Sequence, residues 1–256
     1  MPPLVAARGA RVVLELQPHL VRLAAGFQGA MEVVPAGSPL PPIDFHCPLL
    51  SLPERFATDL ATIPAEIPYL VPEAKAILRW RRRLPAGPGL KIGVVWAGNP
   101  AHQDDRNRSI ALERLIPLFT VPGLRWFSLQ VGEHVGDIAG LPGGTITDLS
   151  GELTDLAETA AALANLDLVI AVDTSVVHLA GALGRPAWVL LPFSADWRWM
   201  LGRDDSPWYP SLRLFRQERR GDWDAVVECV EGALARQVSL RTRLEHEAPP
   251  AATMLA

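Results

Sequence analysis

The stretch Leu168-Val-Ile-Ala-Val-Asp-Thr-Ser-Val-Val-His-Leu-Ala-Gly-Ala-Leu-Gly184 decides the fold. It opens with a continuously apolar run at 168–172, which has the length and character of a strand buried on both faces. Residues 175–183 follow with a helical pattern, after a turn of three polar residues. A buried strand that leads directly into a helix is the repeating unit of a parallel α/β sheet.

The sequence on either side repeats this alternation. Strands are predicted at 90–96, 124–129, 146–148, 166–172, 186–191 and 212–215, the last at an edge of the sheet. Helices are predicted at 111–119, 155–165, 175–183 and 223–236, with Thr154 as the N-cap of the second. Because the strands are apolar throughout, we expect one parallel sheet with helices on both faces over 90–236.

The first third of the chain predicts a second, smaller α/β unit. Strands are expected at 11–16, 32–34 and 43–47, with a helix at 18–25 that ends at Gly26. A helix at 73–84 has an apolar stripe at 76, 77, 80 and 84, and the Pro/Gly segment 85–89 after it marks a domain boundary. Residues 1–84 are interpreted as a small α/β domain that ends in a linker helix, and 239–256 as a flexible tail.

The composition argues against several classes of protein. The chain of 256 residues has a formal net charge of −4, which disfavours a general nucleic-acid-binding protein. Its two cysteines, Cys47 and Cys229, are far apart and suit a reducing compartment better than a disulfide framework. It shows no secretory signal pattern and no apolar run near the ~20 residues that a membrane span needs. We therefore expect a soluble cytoplasmic protein.

The turn between Asp173 and Ser175 is the first candidate site, because ligands of parallel sheets bind beyond the carboxyl ends of the strands. The start of the following helix offers unpaired backbone N–H groups and a partial positive charge, which favour an anion. Thr174 and Ser175 add hydroxyl donors, and His178 lies about one turn further along the helix. The alternative is that Asp173 or Thr174 only caps the helix.

A polar loop after the first strand of this sheet predicts further ligand contacts. Trp96 would form a flat wall and Gly98 a point of close approach, with Asn99 in the turn beside them. Arg106 or Arg108 could neutralise a phosphate, since the planar guanidinium fits oxyanions. The alternative is a solvated loop whose arginine and aspartate residues pair at the surface.

Two more strand ends place polar residues at the same rim. Gln130 follows the next strand along the chain and is a candidate to contact a base edge or a ribose hydroxyl. Asp196 and Arg198 lie in an aromatic segment after a later strand, and we expect at least one of them near the ligand. The alternative for that segment is that its tryptophans fasten a long loop to the domain.

Other chemistries lack their sequence patterns. The chain has neither a Gly-x-Gly-x-x-Gly dinucleotide fingerprint nor a P-loop, and no Gly-x-Ser-x-Gly nucleophile elbow. Its six histidines are scattered without metal-ligand spacing and its cysteines are unpaired, so no dedicated metal site is expected.

Four segments together resemble a known family. They are Lys91-Ile-Gly-Val-Val-Trp-Ala-Gly-Asn-Pro100, Asp105-Arg-Asn-Arg-Ser109, the block 166–184, and Trp197-Arg-Trp199 with Trp208-Tyr-Pro210. They resemble the C-terminal domain of the heptosyltransferase-like glycosyltransferases (glycosyltransferase family 9 type), in the form found behind bacterial tetratricopeptide repeats. The pattern Asp-Thr-x-x-x-His-Leu-Ala-Gly-Ala at 173–182 is the most specific part. The resemblance covers 90–236 well and 1–84 weakly.

The resemblance implies a GT-B architecture, with two Rossmann-like domains that face each other across a cleft. It implies that Asp173, Thr174, Ser175 and His178 face the ribose and diphosphate of a nucleoside-diphosphate sugar, with Arg108 near the phosphates. It further implies an inverting, metal-independent transfer of a hexosyl or heptosyl group. The nucleotide-sugar is then the substrate and no cofactor is needed, while the protein or glycan acceptor is unknown.

The chain departs from the family pattern at its start. The family's first domain opens with a strand and a Gly-Asp-type loop that supplies a candidate base, whereas Met1-Pro-Pro-Leu4 resembles the helix after that strand. We therefore expect a truncated first domain whose sheet has an unpaired edge, and we assign no catalytic residue. A nucleotide-sugar-binding module with weak or no turnover is the alternative function, and an epimerase of the same fold is a third.

Overall fold

The computed structural model describes residues 1–25, 27, 30 and 32–247. The elements of the N-terminal unit (1–84) are α1 (Pro2–Ala6), β1 (Val13–Leu16), α2 (Pro18–Ala24), β2 (Glu32–Pro35), α3 (Leu52–Arg55) and α4 (Ala74–Arg83). β1 and β2 pair in parallel, with α2 as the crossover between them. Within the described residues neither strand has a second partner, so this small sheet has two unpaired edges.

The C-terminal unit (90–247) is built on a six-stranded sheet. Its elements are β3 (Leu90–Val95), α5 (Asp105–Arg108), α6 (Ile116–Phe119), β4 (Leu124–Ser128), β5 (Ile146–Asp148), α7 (Leu156–Leu163), β6 (Leu168–Val172), α8 (Ser175–Ala182), β7 (Ala187–Leu191), β8 (Leu212–Arg216) and α9 (Trp223–Glu247). The strand order is β5-β4-β3-β6-β7-β8, and every adjacent pair is parallel. The predicted α/β fold is confirmed, with β8 at an edge.

Both faces of the large sheet are buried, which explains why its strands are apolar throughout. Successive side chains of a strand point to opposite faces. Ile92 and Val94 of β3 therefore belong to the core that includes α9, whereas Val95 belongs to the core that includes α7 and α8. All residues of β6 are buried, as expected for the central strand of such a sheet.

Two predicted segments differ in the structure. The predicted strand at 43–47 is absent, and Phe45 is 93% exposed. Prolines at 41, 42 and 48 flank this segment, and proline lacks the N–H group that pairs strands. Helix α9 runs to Glu247, so 239–247 is helical rather than a flexible tail, because this run contains neither Gly nor Pro. Residues 248–256 and Gly26 lie outside the described residues.

Two helix boundaries also differ from expectation. The predicted helix at 111–119 consists of a 3-10 turn, Leu112–Leu115, followed by the short helix α6. The N-cap of α7 is Asp155 rather than Thr154, since the Asp155 carboxylate accepts a hydrogen bond from the backbone N–H of Glu158 at 2.7 Å. A carboxylate also interacts favourably with the positive end of the helix dipole.

The two units contact each other through helices α7 and α8. Arg22 of α2 forms ion pairs with Asp155 and Glu158 of α7 at 2.7 and 2.8 Å. The backbone N–H groups of Tyr69 and Leu70 donate to the carbonyl of Ala182 at the end of α8. Among the helices that the structure describes, none combines the length and apolarity needed to cross a bilayer.

Candidate functional site

The strand order creates a crevice between β3 and β6. From β3 the chain proceeds to β4 on one side, whereas β6 lies on the other side and leads to β7. The loops that leave the carboxyl ends of β3 and β6 therefore diverge towards opposite faces of the sheet. Ligands of open α/β sheets bind in the opening that such divergence leaves. The loops concerned, 96–104 and 173–174, contain or adjoin most of the predicted site residues.

The turn at the end of β6 leaves the first amides of α8 without a side-chain cap. Thr174 is the N-cap residue, with extended backbone, but its side chain makes no capping hydrogen bond. The first N–H groups of a helix have no partner within the helix, so those of Ser175 and Val176 lack both kinds of bond. Thr174 Oγ1 is buried and has no hydrogen-bond partner in the described part of the chain. Neither Asp173 nor Thr174 caps α8 through its side chain, so capping alone does not explain the polar residues of this turn.

Asp173 and His178 face each other across the first turn of α8. Asp173 Oδ1 lies 3.7 Å from His178 Nε2, and the His178 ring stacks on Trp199 with centroids 5.1 Å apart. Burial raises the pKa of Asp173, but its neighbours His178, Trp199 and Arg108 outweigh that effect and hold the pKa below its usual range. The ionised carboxylate therefore helps to orient the imidazole, whose side chain is 34% exposed.

Arg108 spans the crevice from the β3 side. Its Nη1 donates to the backbone carbonyl of Asp173 at 3.0 Å, and its Nε donates to Asp105 Oδ1 at 3.1 Å. The hydroxyl of Ser109 donates to the other Asp105 oxygen at 3.1 Å and accepts from the N–H of Gly98 at 3.0 Å. The side chains of Arg108 and Asp105 are mostly buried. A positive charge is thereby held beside the start of α8.

Gly98 is required where Arg108 crosses the loop. A Cβ at this position would overlap Asp105 Oδ1 and the Arg108 guanidinium. The close approach predicted at Gly98 is thus made by the protein's own arginine. Asn99 lies next to it on the surface, where its Oδ1 accepts from the N–H of Ala101 at 3.0 Å and bends the loop.

Trp96 and Gln130 lie beneath the rim rather than on it. Trp96 is fully buried and its indole N–H donates to Asp137 at 2.9 Å, so the flat wall predicted for its ring is wrong. Gln130 is buried as well: its Oε1 accepts from the N–H groups of Trp96 and Ala97, and its Nε2 donates to the carbonyls of Ala97 and Val131. The side-chain amide thus pairs backbone groups that the ends of β3 and β4 leave unpaired.

Asp196 and Arg198 lie in the loop after β7 and bond to each other. Asp196 Oδ1 accepts from the backbone N–H and from Nη1 of Arg198, each at 3.0 Å. The Arg198 guanidinium lies 4.7 Å from the ring centroid of Trp197, and the Arg198 carbonyl accepts from the indole of Trp208 at 2.9 Å. These contacts hold the exposed loop together, and Trp199 alone of its tryptophans reaches His178.

Asp105, Trp199 and Tyr209 also belong to this site, although the sequence did not predict a role for them there. Asp105 holds Arg108, and the available signal was its i,i+3 spacing to an arginine. Trp199 and Tyr209 both pack against the ring of His178, and a Cβ on Gly181 would overlap Tyr209. No local pattern could show these aromatic contacts, because they depend on the path of the whole 192–211 loop.

The turn at 173–178 lies within a region that matches a known family. Residues 132–224 match the family model described as glycosyltransferase family 9 (heptosyltransferase). This part of the C-terminal unit is similar to glycosyltransferase family 9. The resemblance seen in the sequence is confirmed at this level, whereas the association with tetratricopeptide repeats stays a prediction.

The chain is also similar to a curated relative and to solved structures. It is 31% identical over 182 residues to Protein FlbA of Caulobacter vibrioides, a match that covers 67% of this chain and 29% of FlbA. The chain thus spans less than a third of that relative. The match to the structure of E. coli ADP-heptose lps heptosyltransferase II covers 93% of this chain and 93% of that one, with 11% identity and a TM-score of 0.59. The match to E. coli heptosyltransferase WaaC with ADP-2-deoxy-2-fluoro heptose covers 94% of this chain and 94% of that one, with 15% identity and a TM-score of 0.52. These structures share the GT-B-like fold.

Proposed function

We propose that this chain binds a nucleoside-diphosphate sugar in the crevice between β3 and β6 and transfers the sugar to an acceptor. One observation supports the proposal most: Arg108 is bonded to the carbonyl of Asp173, directly before the uncapped amides of α8. A guanidinium beside a helix start favours a diphosphate. One structure of this fold is that of an ADP-heptose lps heptosyltransferase and another is described with ADP-2-deoxy-2-fluoro heptose, so an ADP-sugar is the donor of first choice.

The residues of the site take different parts in this proposal. The first amides of α8 and the hydroxyls of Thr174 and Ser175 donate to the diphosphate. His178, oriented by Asp173, donates to a phosphate oxygen, and Arg108 neutralises the negative charge. Asn99 and Asp196, which are exposed, and Arg198, which is partly exposed, contact the nucleoside or the sugar. The buried Trp96 and Gln130 and the partly buried Gly98 act by positioning the loops.

The proposed transfer inverts the anomeric carbon. An acceptor hydroxyl attacks from the face opposite the diphosphate and loses its proton to water. The bond from the anomeric carbon to the phosphate oxygen breaks, and the nucleoside diphosphate leaves with the electron pair. Arg108 and the α8 amides supply positive charge to this leaving group. We therefore propose that the reaction proceeds without a divalent cation. The acceptor is proposed to be a protein or glycan hydroxyl.

Calorimetry with ADP, UDP and GDP on the full chain, in the presence of EDTA, tests the binding step. We expect ADP to bind most tightly, and binding by none of the three would contradict the proposal. His178→Ala should weaken ADP binding by ~1–3 kcal/mol, because a donor to a charged oxygen is lost. His19→Ala is the matched control, since His19 is exposed on α2 and outside the crevice.

The alternative is a module that binds the nucleotide-sugar without turning it over. It is favoured by the small N-terminal unit, whose described sheet has only two strands to support an acceptor site. An ADP-sugar labelled in the sugar separates the functions. Slow release of labelled sugar to water supports a transferase, binding without release supports the module, and an isomerised sugar formed without acceptor indicates an epimerase.

A further inference from the structure

A second concentration of positive charge lies at the same rim, around a cavity of about 300 Å³. This arginine cavity is lined by residues from three segments of the chain, within 106–114, 192–194 and 217–223. Arg106, Arg114 and Arg220 are among the lining residues, which include no aspartate or glutamate. In a chain whose net charge is −4, three arginines around one cavity reverse the sign of the charge locally.

Two of these arginines lack a neutralising partner. Within the part of the chain that the structure describes, the guanidinium groups of Arg106 and Arg220 form no ion pair and no hydrogen bond. Arg114 is paired with Asp224 at 2.6 Å, but that carboxylate is 78% exposed and so is screened by water. Like charges around a cavity repel one another, and a bound anion would replace this repulsion with attraction.

Gln217 provides an independent indication of a ligand. Its side chain is buried, with only 5% of the residue exposed, and it lines the arginine cavity. Its Oε1 accepts from the backbone N–H groups of Gly221 at 2.8 Å and Phe193 at 3.3 Å, which fixes the orientation of the amide. Its Nε2 is buried and has no acceptor among the described residues. Leaving a buried N–H donor unpaired costs free energy, so we expect a ligand to supply the acceptor.

The arginine cavity is separate from the proposed donor site. Helix α5 contributes to both: Arg108 bonds to Asp173, whereas Arg106 lines the arginine cavity. No residue of the 173–178 turn lines the cavity. Its other walls come from the loops after β7 and β8, further along the rim and beyond β6.

We propose that the arginine cavity binds the phosphate dianion of a phosphate monoester or of inorganic phosphate. Two uncompensated guanidinium groups match two negative charges. Phosphate oxygens are acceptors that suit both guanidinium groups and the unpaired Gln217 Nε2. The volume is at the lower end of small-molecule sites, which suits a phosphate with a small group attached. The binding does not depend on the proposed sugar transfer.

The test titrates inorganic phosphate and glycerol 3-phosphate into the full chain by calorimetry, with and without saturating ADP. We expect binding in both conditions, because the ADP occupies a different site. Arg106→Gln and Arg220→Gln should each weaken phosphate binding about tenfold or more. Gln217→Glu keeps the acceptor for the two backbone N–H groups but replaces the donor with a charge, so it should abolish binding. Arg82→Gln, in an exposed residue of α4, is the matched control.

Each outcome bears on the proposal. Tighter binding of glycerol 3-phosphate identifies an organic monoester as the ligand, and equal affinity identifies free phosphate. The proposal is overturned if neither compound binds, if Arg106→Gln and Arg220→Gln bind as tightly as the wild type, or if ADP displaces the phosphate. Should phosphate bind while ADP does not, the proposed function fails and the arginine cavity stands.

Discussion

Trp80 donates its indole N–H to Glu158 Oε2 at 2.8 Å and so ties helix α4 to helix α7. Arg79 donates to both oxygens of the same carboxylate at 2.6 Å, and Arg22 of α2 donates to Oε1 at 2.8 Å. Three side chains of the N-terminal unit therefore converge on one buried carboxylate. Since α7 also packs beside α8, this carboxylate helps to set the position of the N-terminal unit next to the proposed donor site.

Glu158→Ala is expected to lower the free energy of unfolding by roughly 1–3 kcal/mol. The main cause is the buried indole N–H of Trp80, which loses its acceptor, whereas water can solvate the half-exposed guanidinium groups of Arg22 and Arg79. Urea denaturation at neutral pH measures the change.

Glu152→Ala is the matched control for this measurement. Its carboxylate accepts from Arg83, also on α4, but both side chains are substantially exposed. An exposed pair of this kind contributes ~0–1 kcal/mol, so the control should lose less stability. Equal losses in the two variants would contradict the special role of Glu158.

The contribution of Glu158 should depend on pH. Burial raises its pKa, but the hydrogen bonds from Arg22, Arg79 and Trp80 lower it from 4.5 to about 2. Because the folded-state pKa is depressed, the stabilisation is fully present above about pH 5 and is lost as the pH falls towards about 2. The urea midpoints of wild type and Glu158→Gln should therefore differ at neutral pH and converge in acid. A gap that stays constant over this range would refute the prediction.

Gly98→Ala should displace Arg108 from the crevice. The added Cβ overlaps the Asp105 carboxylate and the Arg108 guanidinium, so the pair must move off the carbonyl of Asp173. We expect a stability loss of ~1–3 kcal/mol from overpacking and a weaker affinity for ADP, measured by denaturation and calorimetry. Gly143→Ala is the control, because a Cβ there meets open space and the backbone is not left-handed. Unchanged ADP binding in Gly98→Ala would remove Arg108 from the proposed site.

Thr174→Val should stabilise the unliganded protein and weaken nucleotide binding. Thr174 Oγ1 is buried without a partner among the described residues, so its removal relieves a desolvation cost of roughly 1 kcal/mol. The same hydroxyl is proposed to donate to the diphosphate, and its loss should reduce the affinity for ADP. Thr159→Val should instead destabilise, because Thr159 Oγ1 donates to the carbonyl of Asp155 at 3.0 Å. Full ADP affinity in Thr174→Val would show that this hydroxyl does not contact the nucleotide.

Local sequence patterns were sufficient to predict a helix or strand wherever its own residues determine the structure. The apolar run before Asp173 and the helix after it lie where the sequence predicts them, because a strand buried on both faces must be apolar throughout. Of the apolar stripe predicted for the 73–84 helix, Ala76, Trp80 and Leu84 are buried and Ile77 is partly buried. Patterns failed at 43–47, where a β-like composition has no neighbouring strand, since a strand exists only through its partner.

The amino-acid sequence by itself determined the parallel α/β class, the family resemblance of the C-terminal unit and the turn at which α8 begins. These follow from periodicity and from short motifs that need no distant contact. Tertiary structure alone decided that Arg108 donates to the carbonyl of Asp173 and that the Gln130 side-chain amide pairs with backbone groups of Ala97. It also decided that Glu158 accepts from Trp80 and Arg22. Each of these contacts joins residues far apart in the chain, so it depends on strand order and loop path, which the spacing of residues along a sequence does not encode.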